Sequence, residues 1–160
     1  MSFASCAISM SISSAIVFGQ SLHVPPSRTD LNTPGVFSAA LDSPPGKEPV
    51  ALQWEISVPP AIAIGAADIT IGKAAESAGK SLTCALRTAK PPTQRRTAYV
   101  CILAGGQKPI GNGPVAEVRY RAQWDVKGAP IRVVIEKILG VSADLKRIPI
   151  PNVDAIINIP

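Results

Sequence analysis

Aromatic residues are scarce in this 160-residue chain, at 4%, and there is a single histidine, His23. The first scarcity means that a core has to be assembled from Val, Ile, Leu and Ala, and that a platform of stacked rings is hard to build. The second removes the commonest general base. No Ser or Cys nucleophile motif accompanies His23, and the carboxylates are few and scattered, so no catalytic residue is assigned and the chain is expected not to be an enzyme. Acidic residues are outnumbered, 11 against 16 Lys and Arg, for a net charge of +5. A nucleic-acid binder gathers such an excess into a patch interleaved with aromatics. Here a tight basic cluster is Arg95-Arg96, in a Pro-rich loop. The surplus reads as a basic soluble surface with no nucleic-acid partner. Long apolar runs are missing too: residues 7–18 form a Ser-diluted run of about 12, too short to span a membrane.

What the chain does have is 46% apolar residues, with 16 Pro and 12 Gly spread along its length. That length suits one domain plus a short leader. A helical bundle would tolerate so many breakers poorly, whereas an all-β protein with many turns expects them. The clearest element is Val50 to Val58, where Leu52, Trp54, Ile56 and Val58 alternate with Gln53, Glu55 and Ser57. Period-2 alternation marks a strand with one buried and one wet face. Pro59-Pro60 ends it. The pattern returns at residues 116–124, with Glu117, Arg119, Arg121 and Gln123 on the wet side and Trp124 on the inward parity. We read these two strands as neighbours at the centre of one half of a β-sandwich.

The N-terminus has the look of a leader. Residues 1–19 carry no charge, and Val17-Phe18-Gly19 puts small residues at the positions a signal peptidase favours for a cut before Gln20. The positive segment that usually opens such a leader is missing, and a plain tail is the competing reading. Residues 20–32 would then be an N-terminal segment with an edge strand at 22–24. Export would remove Cys6 and leave two cysteines, Cys84 and Cys101, each in a strand-like run on either side of a polar, Pro-rich loop. In an oxidising compartment these two are expected to form a disulfide. The alternatives are two buried thiols or a metal site, although two cysteines with only a distant His23 do not make a four-ligand set. No metal or other cofactor is expected.

The remaining segments read as short strands at 36–41, 61–64, 67–72, 148–151 and 153–159, with residues 73–80 the one helix-friendly stretch, a turn or two closed by Gly79. Residues 131–139 can be drawn as a helix, but their β-branched content directly after Pro130 favours strand. Residues 104–114 form a long turn whose Gly105-Gly106 and Asn112-Gly113 suit left-handed backbone angles. It is not a phosphate cradle, since no Gly-Lys-Ser/Thr and no helix follow. About nine strands separated by turn signals point to an all-β sandwich of Greek-key or jelly-roll type.

The order of these features resembles the cohesin and cohesin-like family. A small-residue strand (36–41) and a Pro/Gly turn (43–49) lead into Ala51-Leu52-Gln53-Trp54-Glu55-Ile56-Ser57 and a Pro-rich stop. Glu76-Ser77-Ala78-Gly79-Lys80-Ser81-Leu82 follows, then Pro109-Ile110-Gly111-Asn112-Gly113-Pro114-Val115-Ala116-Glu117-Val118-Arg119-Tyr120. The ending Gly140 to Asp144, Ile148-Pro149-Ile150 and Ile157-Asn158-Ile159 completes the likeness, which covers residues 33–160. The resemblance implies a nine-stranded jelly-roll sandwich, secreted by bacteria or shown on their surface, and non-catalytic. It implies docking of a dockerin-like or other surface protein across one sheet face, formed largely by the strands 52–58 and 116–124.

The residues themselves give that face a composition. If the two alternating strands are neighbours, Gln53, Glu55 and Ser57 lie beside Glu117, Arg119, Arg121 and Gln123, and Glu55 pairs with Arg119 or Arg121. Such a patch is either a solvated sheet face or a recognition surface, where Arg is a common anchor. The alternative function is a carbohydrate-binding module that takes a polysaccharide on a related jelly roll. It needs an exposed ring, and Trp54 and Trp124 both fall on the inward side.

Overall fold

The computed structural model describes residues 19–87, 96–123 and 129–160. The leader with Cys6, most of the loop between the cysteines with Arg95, and Trp124 lie outside the described residues. Along the chain come β1 (Ser21–His23), β2 (Ser27–Arg28), β3 (Pro34–Asp42), β4 (Ala51–Val58) and β5 (Ile62–Ala63). A 3-10 turn (Ala66–Asp68), β6 (Ile69–Ile71) and the short helix α1 (Lys73–Ser77) follow. The rest is β7 (Ser81–Leu86), β8 (Thr97–Ala104), β9 (Gly113–Ala122), β10 (Ile131–Val141), β11 (Arg147–Pro149) and β12 (Val153–Asn158). The described residues hold twelve strands against the nine or so expected; β1, β5, β6 and β11 are the short runs read at 22–24, 61–64, 67–72 and 148–151, and the two-residue β2 is the one that falls where no strand was expected.

These strands make a β-sandwich. One sheet has the order β1-β3-β9-β5, with β6 also paired to β9. The other has the order β2-β12-β10-β4-β8-β7, with β11 paired to β10. Strand β2 runs parallel to β12, through Ile157↔Ser27 and Asn158↔Arg28. Alternation explains the core. Leu52, Trp54, Ile56 and Val58 of β4 are all buried, and so are Ala116, Val118, Tyr120 and Ala122 of β9. The two strands expected to be neighbours are therefore in opposite sheets, with their apolar sides turned inward. Period-2 alternation tells which side of a strand is wet, but two strands facing each other across a core carry the same pattern as two strands side by side.

Local chemistry fixes the remaining geometry. Gly35 pairs with Tyr120, and a Cβ at Gly35 would lie 2.4 Å from the Tyr120 ring. Only glycine leaves room for that ring, which also stands 5.9 Å from Phe37 and shares a 2.8 Å hydrogen bond with the Ser27 hydroxyl. Helix α1 buries Ala75 and stops before Gly79, whose φ of 70° is left-handed. Behind it, the buried Lys80 amine donates to the carbonyls of Gly105 and Gly106 at 2.6 and 3.1 Å, pinning the long turn expected at residues 104–114. Burial of this amine without a carboxylate lowers its pKa.

The disulfide is present. Cys84 and Cys101 are directly opposed on β7 and β8, with Cα atoms 4.1 Å apart. Trp54 is in turn opposite Cys101 on β4. A Trp–Cys–Cys row thus crosses three adjacent strands on the inner side of the larger sheet.

Candidate partner-docking face

The seven polar residues expected on one face are divided by the sandwich. Gln53, Glu55 and Ser57 belong to β4 in the seven-stranded sheet. Glu117, Arg119 and Arg121 belong to β9 in the five-stranded sheet, with Gln123 just past its end. Two outer faces therefore replace the single composite face, and Glu55 does not pair with Arg119 or Arg121.

Glu55 is the centre of the larger sheet's outer face, and it is only 6% exposed. Arg87 Nη1 donates to its Oε1 at 2.5 Å, and Lys137 Nζ donates to its Oε2 at 2.9 Å. Burial by itself would raise the Glu55 pKa. The two hydrogen bonds, with the charges behind them, outweigh that and hold it below the ordinary carboxylate value. Arg96 extends the polar line, donating to the Ser57 hydroxyl at 2.9 Å and to the carbonyls of Ser57 and Arg132 at 2.8 and 3.1 Å. Arg132 pairs with Asp154 at 3.3 Å on the rim.

Lys137 reaches this face because β10 carries a bulge. Its pairing with β4 shifts between Glu136 and Leu139, and Lys137 itself sits at φ 53°. The Asn152 side chain accepts the Lys137 N–H at 3.1 Å and secures the bulge. One extra residue puts both Glu136 and Lys137 on the outer side while Ile138 returns to the core. Apolar residues border the charges. Val100 is opposite Glu55, Ile102 and Leu139 flank Gln53, and Ile102 is 48% exposed. A small apolar row thus lies beside anchored arginines and a desolvated carboxylate on this outer face.

Sequence reading missed Arg87 and Lys137. Arg87 was within reach. Once Cys84 is set against Cys101, counting along the hairpin brings Arg87 opposite Ala98, and its N–H does donate to the Ala98 carbonyl at 2.8 Å. Lys137 was not within reach, since a bulge breaks the alternation that the reading relies on.

The cluster makes a testable asymmetry. Glu55→Gln removes the carboxylate and leaves two cations free to hydrate, so the cost is on the order of 1 kcal/mol. Replacing Arg87 and Lys137 together by Ala leaves a buried carboxylate alone, and the denaturation midpoint should fall further. The pH dependences have opposite signs. With its pKa lowered in the fold, Glu55 contributes its stability above the unfolded value of 4.5 and loses it as pH falls through the folded value. In the double variant the folded pKa is raised instead, so stability should recover on acidification. Urea titrations from neutral pH to about pH 3 distinguish the two.

Among the described residues, no three His, Cys, Asp or Glu side chains come together to hold a metal, and no helix is long and apolar enough to cross a membrane. No protein-family model and no curated protein matches the sequence. Solved structures do match the fold. The sixth cohesin of scaffoldin B from Acetivibrio cellulolyticus, solved in complex with a dockerin, superposes with a TM-score of 0.68 at 10% identity, over 89% of this chain and 99% of that one. The fold is that of a cohesin domain. A non-cellulosomal cohesin from the hyperthermophilic archaeon Archaeoglobus fulgidus aligns with a TM-score of 0.62 at 8% identity, over 89% of this chain and 91% of that one. The cohesin module of a Clostridium perfringens family 33 glycoside hydrolase gives 0.62 at 10%, over 89% and 97%. At such identities the cohesin fold is shared by backbone shape, while the surface residues of this chain are its own.

Proposed function

We propose that this cohesin-like domain is a non-catalytic docking module that holds a protein partner against the outer face of its seven-stranded sheet. The observation that carries the reading is the buried Glu55, locked by Arg87 and Lys137 beside the exposed Ile102. Side chains already held in place lose little freedom on binding, which makes such a patch effective as an anchor. Neighbours of the same fold were solved with dockerins bound, which favours a dockerin-like protein as partner. The Cys84–Cys101 bridge suits an oxidising compartment. Together with the uncharged residues 1–19 read as a signal peptide, it favours work outside the cell or on its surface, by a domain over residues 33–160.

The test is a pull-down from the host's secreted and surface fractions, with the chain from Gln20 as bait. One control bait carries Ile102→Asp with Lys137→Glu, and a second carries Arg119→Glu with Arg121→Glu. A protein captured by the parent, lost with the first control and kept by the second supports the assignment, and hydrogen exchange with that protein should protect β4 and β8. Loss with the second control alone would move docking to the five-stranded sheet and overturn the assigned face.

A further inference from the structure

The five-stranded sheet has a gap in its edge. Strand β9 pairs with β5 through Ile62↔Ala122 and Ala63↔Arg121, and with β6 from Ile69↔Val118 onward. Between those pairings five residues, 64–68, stand against two, Arg119 and Tyr120. The surplus arches away from β9 and is held firmly. The Tyr99 hydroxyl donates to the Ile64 carbonyl at 2.6 Å from inside the core, and the Gly65 N–H donates to Asp68 Oδ2 at 2.7 Å.

Beside the arch opens a cleft of about 850 Å³, a size typical of small-molecule sites. Arg119 and Arg121 line it from β9 and Gln123 from just past its end, Asp68 from the arch, Thr97 from the other sheet and Pro60 from the turn after β4. Arg119 and Arg121 are both exposed and two residues apart, so they stand on the same side of the strand, about 7 Å from each other. Among the described residues neither has an ion-pair partner. Asp68 spends Oδ2 inside the arch, and its Oδ1 accepts no hydrogen bond from a described residue.

We propose that this cleft binds a sugar acid, a hydroxylated carboxylate of the hexuronic type. A guanidinium grips a carboxylate through paired N–H donors, and two of them side by side specify an anion. Asp68 argues against a ligand that is only anionic, since a second carboxylate beside it would be repelled. It needs a donor, and a hydroxyl on the same small molecule supplies one. Gln123 and Thr97 offer further hydroxyl contacts, and Pro60 offers a surface for C–H groups. This mode of sugar binding requires no stacked ring, and it is independent of the docking face, which is on the opposite sheet.

The test is calorimetric titration of the full chain with glucuronate and galacturonate, alongside glucose, acetate and a Glu-rich peptide. Saturable binding of a uronate is expected, with the neutral sugar and acetate at least about tenfold weaker, the loss that follows from removing a bidentate charged contact or its hydroxyl counterpart. Arg119→Met with Arg121→Met should abolish it at unchanged Tm, and Arg147→Met, at an exposed arginine of the other sheet, should leave it intact. Asp68→Asn should narrow the gap between uronate and acetate. The proposal is overturned if neither uronate binds saturably, if glucose or acetate binds as well, if the peptide binds better, or if the Arg119/Arg121 variant binds like the parent.

Discussion

Trp54→Ala is expected to lower the unfolding free energy by about 3–5 kcal/mol, the range for emptying a large aromatic site in a packed core. Trp54 is 1% exposed and is the largest fully buried side chain among the described residues. Its site resists collapse. On one side β8 places Cys101 opposite it, held by the disulfide, and on the other β10 bulges where its own partner would be. Trp54→Phe is the informative companion. The indole Nε1–H has no hydrogen-bond partner among the described residues, so Phe removes an unpaired donor as well as some volume. Its cost should be well below that of Ala. Equilibrium urea unfolding of the three proteins checks both, and a Phe variant as unstable as the Ala variant would contradict this account of the site.

Removing the Cys84–Cys101 bridge is the second large effect. The cysteines are 17 residues apart, and a loop of that size corresponds to about 3 kcal/mol of unfolded-state entropy, less whatever the native state regains on relaxing. The loss should be local as well as global. β7 is the last strand of its sheet, and most of its residues are exposed. Among the described residues its single strand neighbour is β8, so the bridge is the covalent tie on an otherwise frayable edge. In Cys84→Ala with Cys101→Ala, the amides of Ser81–Leu86 should exchange faster than those of β4 or β10. Arg87 directly follows β7 and donates to Glu55, so the same variant should also weaken the docking face at a distance. If the double variant keeps β7 protected as in the parent, β7 is held by its hydrogen bonds to β8 alone.

How far the sequence could be read differs from element to element. β4, β7, β8, β10 and β12 stand within a residue or two of where alternation, β-branching and turn residues put them, and the short helix ends before Gly79 as expected. The cysteine pairing followed from count and compartment. The candidate site was legible only in part. Glu55 and the outward side of β4 were identified, but with the wrong partners, because Arg119 and Arg121 lie across the sandwich.

The alternating pattern of Leu52, Trp54, Ile56 and Val58 settles that β4 is a half-buried strand, since burial of one side is a property of the strand's own period. Proline and glycine placement likewise settles where strands stop. Neither carries information about which strand lies beside which, because sheet order depends on contacts between residues far apart in the chain. That order decided that Glu55 meets Arg87 and Lys137. It also decided that Arg119 and Arg121 face a cleft with Asp68 on the other sheet, and that one extra residue in β10 turns a lysine toward a buried carboxylate.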